Sequence, residues 1–204
     1  MKIIVTAGPT REHLDPVRYL SNPSTGKMGF AIAKASVEKG FDTILVTGPV
    51  SLKTPKGVKR VDVVSAREMY EAVKAVDGAD LLVATAAVAD WRPAKCAKEK
   101  LKKNSMKGTI ELVRNPDILK SLKGMRKIGF AAETQNVLEE ATRKCREKDL
   151  EFIVANDVSE KGCGFGSNDN RVTIIRRDGT VLRLPKMSKL AVARRIIKEV
   201  CRGA

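Results

Sequence analysis

The sequence predicts an α/β protein built on a mainly parallel sheet with a C-terminal β-hairpin, and three observations carry that prediction. The apolar residues 3–7 (IIVTA) are followed by Gly8 and then by a helical pattern, as in the first strand and helix of a βαβ unit. Apolar runs and helical patterns then alternate along the chain. Residues 80–85 (DLLVAT) are nearly all apolar, which is typical of a parallel strand buried on both faces.

Local signals mark the starts and ends of several helices. The first helical pattern stops at Gly40, a common position for a helix C-terminus. Ser65 and Glu68 have the spacing of a capping box. The pair Asn115-Pro116 is typical of a helix start, and the amides of such a first turn can bind anions. Helices are therefore predicted over residues 27–39, 66–76, from 115 onward, 136–148 and 188–201.

The strands follow from apolar content and from the turn residues between them. Asp178-Gly179 between two apolar runs predicts the hairpin, with strands over residues 171–175 and 181–184. No linker or internal repeat interrupts the pattern, so residues 1–204 are predicted to form one domain. The other predicted strands cover residues 42–46, 58–64, 109–113, 127–131 and 152–155.

Charge and aromatic content narrow the class of partner. The 204 residues carry a formal net charge of +15 at pH 7, which favours polyanionic partners, either nucleic acid or small phosphorylated molecules. Only five Phe, two Tyr and one Trp are present, and no basic stretch is interleaved with aromatic residues as in a base-stacking surface. We therefore expect phosphorylated small molecules as partners and no nucleic acid.

Zinc, membrane insertion and export are not indicated. Four scattered cysteines form no CxxC pair and His13 is the single histidine, so a zinc site is not expected. No apolar run approaches the ~18 residues of a membrane span, and the N-terminus lacks a signal-peptide pattern. The expectation is a cytoplasmic protein with no membrane contact.

The segment between Gly8 and Gly26 is long for a strand-to-helix loop. A dinucleotide fingerprint would place G-x-G-x-x-G directly between the two elements, whereas roughly seventeen residues intervene here. The segment is polar and lies at the carboxyl end of the first strand, where open parallel sheets bind ligands. It suits phosphate or carboxylate recognition. The alternative is a surface Ω-loop that closes a sheet edge.

Three further segments are candidates for a ligand site, and each has a simpler alternative. Asp90 could accept a ribose hydroxyl or lie near a metal-bound triphosphate, or it could cap a turn. Residues 95–107 hold six lysines, which could neutralise a polyphosphate or form a solvated loop. Lys144 and Lys148 are four apart and share one helix face, although Glu140 could simply pair with Lys144 in water.

Seven motifs, in one order along nearly the whole chain, together resemble the phosphopantothenoylcysteine synthetase family, the ligases of coenzyme A biosynthesis, in its bacterial CTP-dependent form. The resemblance is far more specific than any single motif and implies a Rossmann-like three-layer sandwich with one synthetase domain over residues 1–204. The motifs are residues 6–29 (TAGPTREHLDPVRYLSNPSTGKMG), 86–93 (AAVADWRP), 99–103 (EKLKK), 115–119 (NPDIL), 129–134 (GFAAET), 155–159 (ANDVS) and 164–172 (GFGSNDNRV).

The resemblance implies a ligase that joins 4'-phosphopantothenate to L-cysteine with consumption of CTP. The substrate carboxylate would attack the α-phosphate to give an acyl-cytidylate and pyrophosphate, and the cysteine amine would then displace CMP. This order is chemically reasonable because a carboxylate is a poor acyl donor until it is part of a mixed anhydride with a good leaving group. The residues alone leave both CTP and ATP open as the nucleotide.

The resemblance also implies roles for individual residues. Asn22 would bind the acyl-cytidylate and polarise its carbonyl, and Arg18 would position the same intermediate. Lys100 would neutralise phosphate charge or gate the second half-reaction. Backbone groups of the segment that begins at Ala84 would hold the base. The implied nucleotide-site residues are Ala84, Thr85, Ala86, Ala87, Asp90, Lys100, Asn115, Pro116, Asp117, Ile118, Phe130, Lys144 and Lys148.

Cofactors and partners are implied in the same way. Mg²⁺ would arrive on the nucleotide, near Asp90, with no cage made of protein ligands alone. The resemblance also implies a homodimer, in which the basic segment (residues 95–107) reaches the active site of the partner subunit. In many bacteria the synthetase follows a flavin-dependent decarboxylase in one polypeptide, and because no motif here corresponds to that domain, no flavin is expected in this chain.

The sequence leaves two alternatives to the ligase, one enzymatic and one non-catalytic. A nicotinamide-dependent reductase would suit an α/β fold, but the G-x-G-x-x-G fingerprint and a Ser, Tyr and Lys trio in reductase spacing are absent from the sequence. A non-catalytic basic protein would bind duplex nucleic acid in a salt-sensitive manner.

Overall fold

The computed structural model describes residues 1–103, 108–133, 136–157, 164 and 166–202. Within these ranges the helices are α1 (Lys27–Glu38), α2 (Ala66–Lys74), α3 (Ile118–Ser121), α4 (Val137–Glu147) and α5 (Lys189–Arg202). The strands are β1 (Lys2–Ala7), β2 (Arg11–His13), β3 (Tyr19–Ser21), β4 (Asp42–Thr47), β5 (Lys59–Asp62), β6 (Leu81–Ala84), β7 (Trp91–Pro93), β8 (Leu112–Arg114), β9 (Arg126–Glu133), β10 (Phe152–Asp157), β11 (Asp169–Asn170), β12 (Val172–Arg176), β13 (Val181–Arg183) and β14 (Met187–Ser188).

Eight strands form the central sheet, in the order β13-β12-β10-β9-β6-β1-β4-β5. The six strands from β10 to β5 in this order are parallel, and β12 and β13 add an antiparallel hairpin at one edge. The chain runs outward from β1 through β4 to β5 and then returns to β6 on the other side of β1. The order therefore reverses between β1 and β6, which is the position where such sheets bind ligands.

Helices cover both faces of the sheet, so the architecture has three layers. On the first face, Ile3 and Val5 of β1 pack with residues of α1 and α5 in the largest apolar cluster. On the opposite face, Ile4 of the same strand packs with Met69 and Val73 of α2. Successive residues of a strand point to opposite faces, and the buried central strands need apolar residues on both. The α/β sandwich with its mainly parallel sheet and C-terminal hairpin is confirmed.

Helix α1 approaches β1 closely because its first turn carries a glycine. A Cβ atom added at Gly29 would lie 2.5 Å from Cβ of Ala7 and 2.5 Å from Oγ1 of Thr85. Any larger residue would push the helix away from the carboxyl end of β1. The backbone of α1 therefore lies directly beside the point where the strand order reverses.

Among the described residues, three small two-stranded sheets lie outside the central one and were not predicted: β2–β3, β7–β8 and β11–β14. The long segment after β1 contains an antiparallel hairpin, in which Arg11 pairs with Ser21 and His13 pairs with Tyr19. Strands β7 and β8 form a second antiparallel pair. The predicted loop is thus partly ordered by backbone pairing, which three-residue strands reveal only weakly in a sequence.

Two predicted boundaries are wrong. The helix expected from Asn115-Pro116 begins at Ile118 and has four residues, because Asp117 is the N-cap and its carboxylate accepts the amide of Lys120 at 3.1 Å. The strand expected over residues 109–113 lies at Leu112–Arg114. Of the segments used above, residues 104–107 of the basic segment and residues 134, 158, 159 and 165 of the motifs lie outside the described residues.

Candidate functional site

A cavity of about 450 Å³ opens at the carboxyl ends of β1, β6 and β9. Its floor includes Thr6 of β1 and Phe130 of β9, and its wall includes Arg114 at the end of β8. Small side chains on the segment after β6 leave the backbone accessible to a flat group. The residues implied for a nucleotide site that line this cavity are Ala84, Ala86, Asp90, Asn115, Pro116, Asp117, Ile118, Phe130 and Lys148.

The segment after β6 is fixed by hydrogen bonds to the segment after β1. The amide of Ala87 donates to the carbonyl of Gly8 at 2.9 Å, and the amide of Thr10 donates to the carbonyl of Ala87 at 3.3 Å. The hydroxyl of Thr10 accepts the amide of Ala89 at 3.0 Å. These bonds extend the β1–β6 pairing past the ends of both strands, so the backbone around Ala86 is held in place before any ligand binds.

Asn115 ties the two walls of the cavity together. Its amide donates to the carbonyl of Asp90 at 2.8 Å, and its Nδ2 donates to the carbonyl of Ala89 at 2.9 Å. Its Oδ1 accepts Nη1 of Arg92 at 3.1 Å. The side chain thus joins the Asp90 segment to the Pro116 turn, which is a different use from the ligand contact that the motif suggested.

Lys148 and Asp117 form an ion pair at the same cavity. Nζ of Lys148 lies 3.0 Å from Oδ2 of Asp117. Although burial raises the pKa of the Asp117 carboxyl, the Lys148 ammonium and the Lys120 amide together hold that pKa below its usual range. Lys144 lies one turn earlier on α4 and outside the residues that line the cavity. Of the two lysines on this face, only Lys148 reaches the cavity wall.

A buried lysine that the sequence analysis missed supports the turn from below. Lys127 is 5% exposed, and its Nζ donates to the carbonyls of Leu119 and Leu122 at 3.0 and 3.2 Å. Burial lowers the pKa of this ammonium group. The carbonyls lie at the end of α3, so Lys127 fixes the helix that follows the Pro116 turn. The one available signal was a charged residue at the start of an otherwise apolar predicted strand.

A second cavity of about 220 Å³ adjoins the first, and both are lined by Ala86, Val88 and Phe130. It lies at the N-terminus of α1 and includes Thr85 and Ala87 on the sheet side. The N-terminus of a helix carries unsatisfied amide groups and a partial positive charge. The other lining residues are Ser24, Thr25, Gly26, Lys27, Met28, Gly29, Ala131, Ala132, Asn156, Asn170 and Lys189.

Two lysines contribute positive charge to this second cavity. Lys189 is 7% exposed, and its Nζ donates to the carbonyl of Gly164 at 3.3 Å. Nζ of Lys27 donates to the carbonyl of Gly166 and to Oδ1 of Asn168, each at 2.8 Å. Together with the first turn of α1 they make the cavity attractive to an anionic group. Neither lysine was singled out from the sequence, because they meet only in the folded chain.

Asn22 lies beside the second cavity, on the exposed side. Its Nδ2 donates to the carbonyl of Ala87 at 3.1 Å, and Ser21 anchors the same segment through a 2.7 Å bond from its hydroxyl to the carbonyl of Thr10. The amide group of Asn22 is thus held next to the backbone segment that separates the two cavities.

Arg18 and Lys100 lie outside the residues that line the two cavities. Arg18 is ion-paired with the buried Asp15, and its Nη2 also donates to the carbonyl of Leu101 at 2.9 Å. Lys100 has an exposed side chain and precedes Leu101 directly. The structure therefore brings these two predicted residues to one place, but as part of a separate cluster beside the cavities.

The fold and this site define a class: a doubly wound α/β protein with adjoining ligand cavities at the point where the strand order of the sheet reverses. Residues 1–203 match the model of one family, described as the DNA/pantothenate metabolism flavoprotein C-terminal domain. The chain belongs to that family. The resemblance drawn from the seven motifs is confirmed by this match and by the relatives described next.

Bacterial relatives resemble the chain along nearly its whole length. It is 47% identical to the coenzyme A biosynthesis bifunctional protein CoaBC of Escherichia coli strain K12, over 98% of this chain and 51% of the relative. It is 48% identical to the protein of the same name from Bacillus subtilis strain 168, over 97% of this chain and 50% of the relative. The chain thus spans about half the length of the curated relatives it matches.

Solved structures agree with the fold. The crystal structure of the C-terminal domain of CoaBC superposes with a TM-score of 0.82 at 45% identity, covering 98% of this chain and 93% of that domain. A Cab2 mutant in complex with phosphopantothenate-cysteine superposes with a TM-score of 0.77 at 17% identity, covering 98% of this chain and 85% of Cab2. At that identity the second likeness shows the fold alone. Among the described residues, no helix is long and apolar enough to cross a membrane.

Proposed function

We propose that this chain is a phosphopantothenate-cysteine ligase of coenzyme A biosynthesis, which uses CTP and forms an acyl-cytidylate. The observation that carries the proposal is the pair of adjoining cavities at the ends of β1 and β6, with Ala86, Val88 and Phe130 lining both. Such an arrangement allows an activated nucleotide and an acyl substrate to meet at one wall. The names of the bacterial relatives support a role in coenzyme A biosynthesis.

In the first half-reaction the carboxylate of 4'-phosphopantothenate attacks the α-phosphate of CTP. A carboxylate–phosphorus bond forms, the bond from the α-phosphate to the bridging oxygen breaks, and pyrophosphate leaves. In the second half-reaction the cysteine amine attacks the acyl carbon, an amide bond forms, the nitrogen releases a proton to solvent, and CMP leaves with the electron pair of the acyl–oxygen bond. The mixed anhydride is needed because it replaces a poor leaving group with a good one.

The first cavity would hold the nucleotide. Backbone groups around Ala86 are fixed in advance and would contact the base, and the Pro116 turn would face the phosphates together with Lys148. Asp90 is exposed at the cavity wall and would hold Mg²⁺ through one carboxylate plus the nucleotide phosphates, as is usual for this ion. Mg²⁺ would neutralise phosphate charge as the α-phosphate is attacked.

The second cavity would bind an anionic group of the substrates, either phosphoryl or carboxylate. Lys27, Lys189 and the first turn of α1 supply the positive potential there. Asn22 lies next to Ala87 at the exposed side, where its amide could donate to the acyl carbonyl during attack by the amine. Arg18 would position the intermediate, and Lys100 would neutralise phosphate charge or gate the second half-reaction.

We also propose that the chain forms a homodimer through the surface of the β2–β3 and β7–β8 pairs. Val17 is 57% exposed, Tyr19 41%, Trp91 45% and Leu112 41%, although all four side chains are apolar or aromatic. They lie on or beside the β2–β3 and β7–β8 pairs, which contact each other. Exposed apolar groups concentrated in one region are typical of an interface. Sedimentation equilibrium of the wild-type chain and of a Val17→Asp, Tyr19→Asp variant tests it, with a monomeric variant expected.

The CoaBC relatives are bifunctional and twice as long. We propose that the activity described here works beside a flavin-dependent decarboxylase, as a fused or a separate partner, in the cytoplasm. No flavin is proposed for this chain. No observation favours the nicotinamide-dependent reductase, and calorimetry with NADPH would be its test.

The ligase is tested by mass spectrometry of reactions that contain 4'-phosphopantothenate, Mg²⁺ and either CTP or ATP, with cysteine present or omitted. The expected result is phosphopantothenoylcysteine and CMP when cysteine is present, and acyl-cytidylate when it is omitted. Formation of product with ATP but not with CTP would overturn the nucleotide assignment. Absence of product and of acyl-nucleotide with both nucleotides would overturn the function.

A further inference from the structure

The backbone of Leu101 is held on both sides by one ion pair. Its amide donates to Oδ2 of Asp15 at 3.1 Å, and its carbonyl accepts Nη2 of Arg18 at 2.9 Å. Both partners lie 83 or more residues earlier in the chain. Four residues earlier, the amide of Ala97 donates to the carbonyl of Leu14 at 2.9 Å. The segment from Ala97 to Leu101 is therefore fastened to the turn of the β2–β3 hairpin at three points.

Asp15 is the centre of this arrangement. Its side chain is fully buried and accepts the amides of Val17 and Arg18 at 2.8 and 2.9 Å, in addition to Nε of Arg18 at 3.0 Å and the Leu101 amide. A carboxylate has about four lone-pair sites, and donors occupy all of them here. The Arg18 guanidinium holds the pKa of the Asp15 carboxyl well below its usual range, so the side chain stays charged.

The consequence concerns Lys100, the residue directly before Leu101. Its side chain is exposed and by itself could adopt many positions, but its backbone is fixed by the bonds to Leu101. When a long side chain must reach one charged group on a ligand, a fixed backbone strengthens the contact, because less conformational entropy is lost when the contact forms.

We propose that Asp15 is a positioning residue, which clamps Leu101 together with Arg18 and thereby sets the place of Lys100 during the reaction. The part that concerns catalysis rests on the proposed ligase function. The part that concerns the clamp does not, since it predicts a change in the basic segment that is measured without substrate. Asp15 touches neither cavity and acts only through Leu101 and Arg18.

The clamp is tested first by trypsin cleavage after Lys102 and Lys103 in the folded chain. In Asp15→Asn an amide NH₂ replaces one acceptor oxygen and faces donors, so the Leu101 bond is lost. Cleavage is expected to be about tenfold faster than in wild type, because local opening becomes easier. Glu12→Gln is the matched control. Glu12 is a second buried carboxylate of the hairpin, and it accepts the amide of Ala66, at the start of α2, at 2.9 Å.

The link to Lys100 is tested by a double-mutant cycle on kcat. Asp15→Asn alone is expected to lower kcat about ten- to a hundredfold, with KM for CTP changed much less, because a misplaced catalytic side chain costs rate more than binding. In the Lys100→Gln background the same substitution is expected to lower kcat less than twofold further, since interacting residues are not additive. Glu12→Gln is expected to have the same effect in both backgrounds.

Several outcomes would contradict the proposal. Equal cleavage rates in wild type and Asp15→Asn would remove the clamp, and multiplicative effects of Asp15→Asn and Lys100→Gln would remove the link to Lys100. If Asp15→Asn does not fold, Leu101→Pro deletes the same amide donor from the other side and is expected to accelerate cleavage after Lys103 in the same way. A chain that shows the cleavage difference but forms no ligase product would instead contradict the proposed function and leave the clamp intact.

Discussion

The first cavity and the cluster of Asp15, Arg18 and Lys100 are built in different ways. The cavity is formed by the ends of central strands, and its loops are joined by backbone bonds such as that between Ala87 and Gly8. The cluster is formed by a small hairpin and by a segment fastened to it through side chains. The cavity is therefore shaped by the whole sheet, whereas the geometry of the cluster at Leu101 depends on one ion pair.

This difference has a consequence for mutation. Loss of one side chain at the cavity should affect ligand affinity, since the backbone stays in place. Loss of one side chain in the cluster, or of the Asn22 amide beside the second cavity, should affect the rate of a chemical step, since it changes or removes a reacting or supporting group. The predictions that follow test this contrast.

The largest effect is expected for Asn22→Asp. An amide donor is replaced by a carboxylate, so the acyl carbonyl loses a hydrogen bond and meets a negative charge. Loss of one such donor costs about a hundred- to a thousandfold in rate. We expect amide formation to fall by that factor while activation continues, so that acyl-cytidylate accumulates in the mass spectrum. Ser21→Ala, which removes the hydroxyl that bonds to the carbonyls of Thr10 and Asn22 but keeps the Asn22 amide, should lower the rate far less. Unimpaired turnover in Asn22→Asp would contradict the role given to Asn22.

Lys127→Met is expected to disturb the cavity from below. The substitution leaves the carbonyls of Leu119 and Leu122 without their buried donor, and an unsatisfied buried acceptor costs about 1–3 kcal/mol. Urea unfolding should show a loss of this size. The KM for CTP should rise because α3 loses its support, and kcat should change little. Lys123→Met, at an exposed position in the same connection, is the control for a lost charge. An unchanged free energy of unfolding in Lys127→Met would show that Lys127 does not support α3.

A smaller effect is expected for Lys148→Met compared with Lys144→Met. Lys148 lines the cavity and pairs with Asp117, whereas Lys144 lies outside the lining. Loss of a charge-assisted contact to phosphate should raise the KM for CTP about tenfold in Lys148→Met, and clearly less in Lys144→Met. Isothermal titration with CTP measures the same difference directly. Equal effects would mean that both lysines reach the nucleotide, as the sequence resemblance implied.

The sequence predicted the parts of this molecule that depend on local pattern. The apolar run before Gly8, the capping box at Ser65 and the Asp178-Gly179 turn each specify a structure within a few residues, and all three are present. In α2 the hydroxyl of Ser65 accepts the amide of Glu68 at 3.2 Å. The segment after β6 was also recognisable, because the small residues that form a cavity wall are consecutive in the sequence.

What the sequence did not predict depends on residues that meet from distant parts of the chain. Lys27 and Lys189 contribute charge to one cavity although their residue numbers differ by 162 (189 − 27), and no local pattern links them. Asp15 belongs to the long polar loop, and the sequence does not indicate its partner because Leu101 lies in a segment that is merely basic. The helix expected at Asn115-Pro116 was misplaced because Asp117 competes as the N-cap and Asn115 bonds to Ala89 instead.

The smallest expected effect concerns acid stability. Because Arg18 holds the pKa of Asp15 well below its usual range, the unfolded chain binds a proton below about pH 4 that the folded chain does not. This pair therefore stabilises the fold above that pH, and its contribution is lost as the pH falls further. In Asp15→Asn the free energy of unfolding should be lower near neutral pH and should fall less steeply on acidification.

Glu140→Gln provides the comparison within the same measurement. Arg143 also lowers the pKa of Glu140, but both side chains of that pair are substantially exposed, and water screens such pairs. We therefore expect the free energy of unfolding of Glu140→Gln to depend on acid pH almost as in wild type, and the change in Asp15→Asn to be larger. If both variants reduce the acid-dependent fall in the free energy of unfolding by the same amount, burial of Asp15 adds nothing to its pairing with Arg18. The clamp on Leu101 would then depend on hydrogen bonds and not on the charge of Asp15.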